Sequence, residues 1–366
     1  DVIRAALSPR SDVGRIVASV DTDHAGHQDL WWETATGNPP AVPERLDAVA
    51  VALITKAMNF GQDLHLEGPV SWTLLANLEE YVEAWTTWRP DIFRPVSISA
   101  AEVVDDRADG PGPNATRTVL AASGGVDSTY ALHAHARGLF GRRSLEVADA
   151  VLIQGFDIPL DADAGWRAAH RSVTAIAETV GVTVVGLRTN WRAVADPEWE
   201  MSFGTALAAC LLLFTDRAAV ATVAADSSYG HLTLPWGSNA ITQPLLASAA
   251  MRVAYLGGGS TRTRKCAVIG DDPQVRRHIR VCWEGPDAGR NCGRCEKCQR
   301  TKLNFAAAGR GTIEALGPVD VEGLRSLDVR SVAARDLYRE LVPEMATFDP
   351  DVAEQVQRLA HSDITR

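Results

Sequence analysis

Ser123-Gly124-Gly125-Val126-Asp127-Ser128 is the stretch on which the reading of this chain turns. A short apolar run, Thr118 to Ala122, precedes it, and a helical pattern, Ser128 to Arg137, follows, so it reads as the turn between a strand and a helix. The paired glycines let the backbone turn tightly and come close to a ligand. Ser123 and Ser128 offer hydroxyls, and the first N–H groups of the new helix point outward with the positive end of its dipole, which suits an anion. Asp127 is out of place beside a bare phosphate and makes sense with a magnesium ion between them. It is expected in a solvent-facing loop, where replacement by Ala would leave the fold intact. A Gly-rich turn with a Ser or Asp cap is the purely structural alternative. A Walker A loop is excluded, because G-x-x-x-x-G-K-[ST] does not occur.

Downstream the same alternation continues. Apolar runs at Ala150 to Gln154, Val182 to Leu187 and Ala219 to Ala225 are separated by helical stretches at Ala164 to Val180 and Met201 to Phe214. This predicts an α/β fold: a doubly wound, mainly parallel sheet whose strand C-termini gather on one ligand-binding edge. Upstream, helical patterns at Pro43 to Phe60 and Ser71 to Trp85, with Ser71 as N-cap, lead into the polar run Asp105 to Asn114, rich in Gly and Pro. That run reads as a linker. The expected division is an accessory N-terminal domain at 1–113, a nucleotide domain at 114–310 and a helical tail at 311–366, with helices at Val332 to Val342 and Val352 to Leu359.

Four of the six cysteines fall in 17 residues: Cys282, Cys292, Cys295 and Cys298. In a large chain this spacing reads as metal ligation, and four thiolates match tetrahedral zinc. An iron–sulfur cluster also takes four thiolates, and a redox dithiol is a third use. Gly285-Pro286-Asp287-Ala288-Gly289 would turn the chain back between the first two cysteines, and Arg290, Arg294, Lys297 and Arg300 would offset the sulfur charge. With every coordination position filled by Cys, the centre, module 282–298, is expected to be structural.

The Ser-Gly-Gly-Val-Asp-Ser string resembles the PP-loop of the N-type ATP pyrophosphatases (adenine nucleotide alpha hydrolase-like fold). Followed by this cysteine pattern, it is most similar to the 7-cyano-7-deazaguanine synthase-like family of the queuosine pathway, over roughly residues 116–305. The resemblance implies cleavage of ATP to AMP and pyrophosphate. It implies that Ser123, Gly124, Gly125, Val126, Asp127 and Ser128 hold pyrophosphate, with Asp127 and Ser128 catalytic, and that Gln154 and Gly155 lie near the adenine. It favours Arg262 and Lys265, in Thr261-Arg262-Thr263-Arg264-Lys265, as the cations that meet departing pyrophosphate. The N-terminal segment lies outside it, so the chain reads as a divergent relative.

Pro235-Trp236-Gly237-Ser238-Asn239, after the fourth run, adds Gly237 and Ser238 as nucleotide-binding candidates, with Asp226, Ser227, Ser228, Tyr229 and His231 preceding them. The cofactors expected are ATP, Mg2+ and Zn2+. A net charge of −10 and four lysines, Lys56, Lys265, Lys297 and Lys302, disfavour a nucleic-acid surface. No apolar run is long enough to span a membrane, and Asp1-Val2-Ile3-Arg4 is not the start of a signal peptide, so a cytoplasmic location is expected. The leading expectation is an AMP-forming carbon–nitrogen ligase, which adenylates a small-molecule carboxylate or carbonyl oxygen and lets ammonia or an amine give an amide or nitrile. Cys210 is the first cysteine, so residues 1–113 hold no glutaminase thiol, and the nitrogen would come from free ammonia, an amine or a partner protein. A homo-oligomer is a further expected assembly. The alternatives are thiolation of tRNA or a small molecule, for which Cys266 beside Lys265 would be the reactive thiol, and a non-catalytic nucleotide- and zinc-binding module. Cys210, in an apolar helix, is expected in the core.

Overall fold

The structure, a computed structural model, describes residues 1–23, 25–109, 112–195, 198–285 and 288–364. Gly110 and Pro111 of the expected linker, and Pro286 and Asp287 of the turn between the first two cysteines, lie outside the described residues. In chain order the elements are β1 (Val2–Leu7), β2 (Arg15–Thr22), β3 (Gly26–Thr36), α1 (Asp47–Phe60), β4 (Asp63–Ser71), α2 (Trp72–Trp88) and β5 (Ile98–Val104). Then come β6 (Arg117–Ala121), α3 (Val126–Ala136), β7 (Glu146–Gln154), α4 (Asp163–Glu178), β8 (Val184–Thr189), α5 (Trp191–Ala195), α6 (Trp199–Leu212), β9 (Val220–Ala224) and β10 (Arg252–Leu256). The chain ends with α7 (Arg262–Ile269), α8 (Pro273–His278), α9 (Glu296–Ala307), α10 (Val321–Arg325), α11 (Val332–Leu341) and α12 (Pro350–Ala360).

The strands form one sheet of ten in the order β10-β9-β6-β7-β8-β3-β2-β1-β4-β5. From β10 to β8 all neighbours are parallel, β8-β3-β2-β1 is antiparallel, and β1-β4-β5 is again parallel. The expected α/β fold with a mostly parallel sheet is therefore present. The strands of residues 1–113, expected as a separate unit, instead extend that sheet, with β3 paired to β8 through Trp32–Thr189 and Glu33–Arg188. The physical reason lies in the core. Val119, Ala121, Val151 and Ile153 share one apolar cluster with Leu53, Leu64 and Trp85 of the N-terminal half, so the two halves bury one another. Residues of β6 and β7 with the opposite parity, Leu120, Ala150 and Leu152, face a second cluster under α3 and α4. Period-two burial on both faces is what a doubly covered sheet requires. The tail packs its own cluster, Leu324, Tyr338, Leu341, Val356 and Leu359, on Leu303 of α9.

The expected linker is also not a free loop. Asp106 is fully buried, accepts from the Thr73 N–H at 2.9 Å and caps the start of α2. Ser71 holds the N-cap position but gives its hydroxyl to Asp47 at 2.5 Å instead. Asp106 also accepts from the Ala249 N–H at 3.2 Å. Asp106 follows β5 and Ala249 precedes β10, so this bond ties together the segments flanking the two outermost strands, at the end opposite the Ser-Gly-Gly turn.

Candidate active site

At the carboxyl ends of β6, β7 and β9 lies a cavity of about 520 Å³. Ser123, Gly125, Asp127 and Ser128 line it, as the sequence predicts. Gly124 has φ +76°, a left-handed conformation that favours glycine, and its carbonyl accepts from the Arg280 N–H at 2.8 Å, which fixes the turn against the loop before Cys282. No side chain caps α3, so its first N–H groups lack an intrahelical acceptor and sit beside the cavity. Val126 puts its side chain in the core and offers the site only its backbone.

The basic run forms the first turn of α7, capped by Thr261, whose hydroxyl accepts from the Arg264 N–H at 3.2 Å. That turn carries Arg262 and Lys265 onto Asp127. Arg262 Nη1 donates to Oδ2 at 2.6 Å and Lys265 Nζ to Oδ1 at 2.9 Å. Asp127 is therefore not an unpaired group in a solvent-facing loop. Burial opposes its ionisation, but Arg262 and then Lys265 outweigh burial and hold the carboxyl below its ordinary range. Arg262 lines the cavity with a buried Nε that has no partner among the described residues. Lys265 is fully buried beneath it and does not line the cavity.

Asp226, just past β9, is the second carboxylate. Trp236 Nε1 donates to Oδ2 at 2.7 Å and the Tyr255 hydroxyl to Oδ1 at 3.2 Å. Burial, then repulsion from Asp127, pushes its pKa up to about 6. The site thus pairs one carboxylate held ionised with one that titrates near neutrality.

Four other expected residues lie outside the lining. Gln154 is fully buried and its amide braces the following loop through the Pro159 carbonyl at 2.8 Å. Gly155 closes that loop with its N–H on the Ile158 carbonyl at 2.9 Å. Gly237 donates to the Glu200 carbonyl at 2.9 Å, and Ser238 is buried. Their neighbours reach the cavity instead: Phe156 and Asp157 beside the first pair, Trp236 before the second. Phe156, Trp199, Phe203 and Trp236 form a chain of ring contacts at 5.3–6.0 Å, making one wall aromatic. The helical tail, to which no part of the site was assigned, supplies Ser331, Ala333, Ala334 and Leu337 of the cavity wall. Glu340 of the same helix ties it down, accepting from the Arg262 N–H at 2.7 Å and from Ser228 Oγ at 2.5 Å. Nothing in the sequence around Glu340 announces this pairing across 78 residues.

The sulfur atoms of Cys282, Cys292, Cys295 and Cys298 all lie within 4.8 Å of one another. A tetrahedral zinc with Zn–S near 2.3 Å needs sulfurs about 3.8 Å apart. The Cys282–Cys298 and Cys292–Cys298 separations of 3.5 and 4.0 Å fit that set. Cys295 is the N-cap of α9 and Cys298 lies in its first turn, where the helix dipole favours thiolate. The Cys292 and Cys295 N–H groups each donate to a cluster sulfur at 3.2 Å. The cluster can hold a metal ion such as zinc, with no coordination position left for a reacting water. Lys297 and Arg300, expected to offset the thiolates, line the cavity. Lys297 Nζ sits over the Trp283 ring at 3.5 Å, and Arg300 Nε donates to Glu296 at 2.6 Å.

Cys266 is fully buried, and burial pushes its thiol pKa up despite Arg262, the opposite of the expected activation. Cys210 is fully buried in the core as expected. No helix among the described residues is long and apolar enough to cross a membrane. Comparison with family models, with curated proteins and with solved structures finds no match to this chain.

Proposed function

We propose that this protein is an AMP- and pyrophosphate-forming ligase of the PP-loop type, which adenylates a small-molecule carboxylate or carbonyl oxygen for attack by ammonia or an amine. One observation carries the reading: the uncapped start of α3 faces a cavity that also holds Arg262, whose Nε is buried without a partner among the described residues. A polyphosphate supplies the acceptors that both lack, and the aromatic wall suits a purine. Magnesium, when bound with the nucleotide, would neutralise phosphate charge. Asp127 is the carboxylate that would hold it, with phosphate and water completing its set. The zinc expected at the cysteines would brace α9.

The chain's own groups divide the work. The α3 N–H groups and Ser128 bind the leaving phosphates. Arg262, held by Asp127, meets charge that grows on pyrophosphate as its bond to the α-phosphorus breaks. Lys265 keeps Asp127 ionised and in register. Asp226, titrating at about 6, takes the proton that the attacking amine loses as AMP departs. Thiolation lacks support, because Cys266 is buried and the one thiol lining the cavity among the described residues, Cys282, belongs to the metal cluster. The test is nucleotide chromatography after incubation with ATP, magnesium, ammonia and a small-molecule extract. AMP and pyrophosphate are expected. ADP and phosphate would overturn the reading, and nucleotide binding without turnover would assign a non-catalytic module.

A further inference from the structure

Arg300 is a buried cation with part of its hydrogen-bonding capacity unspent. Its side chain is only 4% exposed, yet it lines the cavity. Nε donates to Glu296 Oε1 at 2.6 Å and Nη2 to Oε2 at 3.4 Å. Nη1 is buried and has no partner among the described residues. A buried charged donor left unpaired costs more than a neutral one, so a ligand that supplies an acceptor there is favoured. Arg262 Nε, in the same cavity, is in the same state. The guanidinium has a fixed origin as well as a fixed anchor: Arg300 lies two residues after Cys298 on α9, whose N-cap and first turn carry one cysteine each.

We propose that Arg300 is an oxyanion-binding residue of the cavity, presented by the four-cysteine centre and held by Glu296, whose free Nη1 takes a pyrophosphate oxygen. The proposal rests on the nucleotide reading above and adds to it a residue and a use for the metal centre. The centre does not react; it fixes the backbone from which Arg300 reaches the ligand. Polyphosphate is favoured over the carboxylate of an acceptor because Arg300 and Arg262 both lie close enough to Asp127 to act on its charge, beside the start of α3. Glu296 occupies one edge of the planar fork, so Nη1 can add a single strong bond to an oxyanion.

The test is calorimetric titration of the metal-loaded protein with inorganic pyrophosphate, with metal content and circular dichroism recorded for every variant. R300Q is expected to weaken pyrophosphate binding by about tenfold or more, since a charge-assisted bond is lost. R300K, which keeps the charge but not the fork, should fall between R300Q and wild type. E296Q, which frees the fork to swing, should give a smaller loss than R300Q. Sodium acetate titrated in parallel reports on the carboxylate reading. R300Q that binds pyrophosphate as tightly as wild type overturns the proposal and leaves the nucleotide reading standing, as does a loss confined to acetate. Wild-type protein that binds no pyrophosphate overturns both. If R300Q loses metal or fold, R300K and E296Q carry the decision: unchanged pyrophosphate affinity in both, with metal retained, overturns the proposal.

Discussion

The sheet has two parallel blocks, and each collects a pair of carboxylates at its carboxyl edge. At the end of β4 and β5 these are Asp47 and Asp106; beyond β6 and β9 they are Asp127 and Asp226. The electrostatic pattern repeats. Burial pushes Asp47 up, as it does Asp226, and each is raised further by its neighbour. Asp106 and Asp127 are held low, against burial, the first by N–H and hydroxyl donors and the second by cations. The difference is what remains unmet. Asp47 accepts from the Ser71 N–H and hydroxyl, and Asp106 from Thr73 twice and from Ala249, so that edge closes on itself. The other edge opens on a cavity with donors on Arg262 and Arg300 that have no partner among the described residues. Strand ends gather polar groups in both places, and only the one with surplus donors can take a ligand.

The largest effect is expected where the regions differ most, at the four-cysteine cluster beside the second edge, which can hold a metal ion such as zinc. Structural zinc contributes about 10 kcal/mol or more to the folding of its module. Cys295→Ala should therefore yield insoluble protein, or protein cleaved readily by protease after Cys282, and metal analysis of the wild type should give one zinc per chain. Iron, or a soluble and protease-resistant variant without metal, would break this account.

Next in size is the contrast between Asp127 and Asp106. Asp127→Asn leaves Arg262 and buried Lys265 repelling one another, so it should cost about 3 kcal/mol of stability and lower turnover about a thousandfold. Inorganic pyrophosphate can take up the freed Arg262, which lines the cavity, so it should raise the melting temperature of Asp127→Asn more than that of wild type. Asp106→Ala should also cost about 3 kcal/mol, because it strands the Thr73 and Ala249 N–H groups. It should keep normal turnover, and pyrophosphate should give it no extra protection. Loss of activity in Asp106→Ala, with the fold retained, would mean that the closed edge is not merely structural.

The strand–helix alternation from Thr118 to Ala225, the Ser-Gly-Gly turn and the cysteine spacing were legible because each is local: periodicity, turn chemistry and ligand spacing lie within a few residues. In the N-terminal part the two helices, α1 and α2, were legible for the same reason, but its strands and their pairing were not. The signal that β3 pairs with β8 is its partner, more than 150 residues away, and the polar run around Asp106 looks like a linker whether or not its carboxylate is buried. In the site, Asp127, Arg262 and Lys265 were named separately, but their pairing spans 135 and 138 residues and turned a free magnesium ligand into the centre of an ion-pair triad. Glu340 and the wall from Ser331 to Leu337 were missed for the same reason.

The smallest effect separates the two raised carboxylates by pH. A group whose folded pKa is raised stabilises fully below its unfolded value, about 3.9 for Asp, and loses that contribution as pH rises through the folded value. For Asp226 that window closes at about 6. His133 and His135 work in the opposite sense. Burial lowers both to about 4, so their contribution is present above about 6.5 and is lost as pH falls through 4. The profile of the wild type alone therefore mixes the two, and the difference between wild type and Asp226→Asn cancels the histidines. That difference should favour the variant increasingly between pH 4 and 6 and then level off. Asp47→Asn should show the same sign in stability, with no change in the pH dependence of turnover, because its donors are Ser71 groups and it does not line the cavity. Asp226→Asn should differ there: wild-type turnover should rise with pH through about 6 as the carboxylate ionises, whereas the variant should be slower by about a hundredfold and lack that limb. A variant that keeps the wild-type limb would remove Asp226 from proton transfer and make the second edge more like the first.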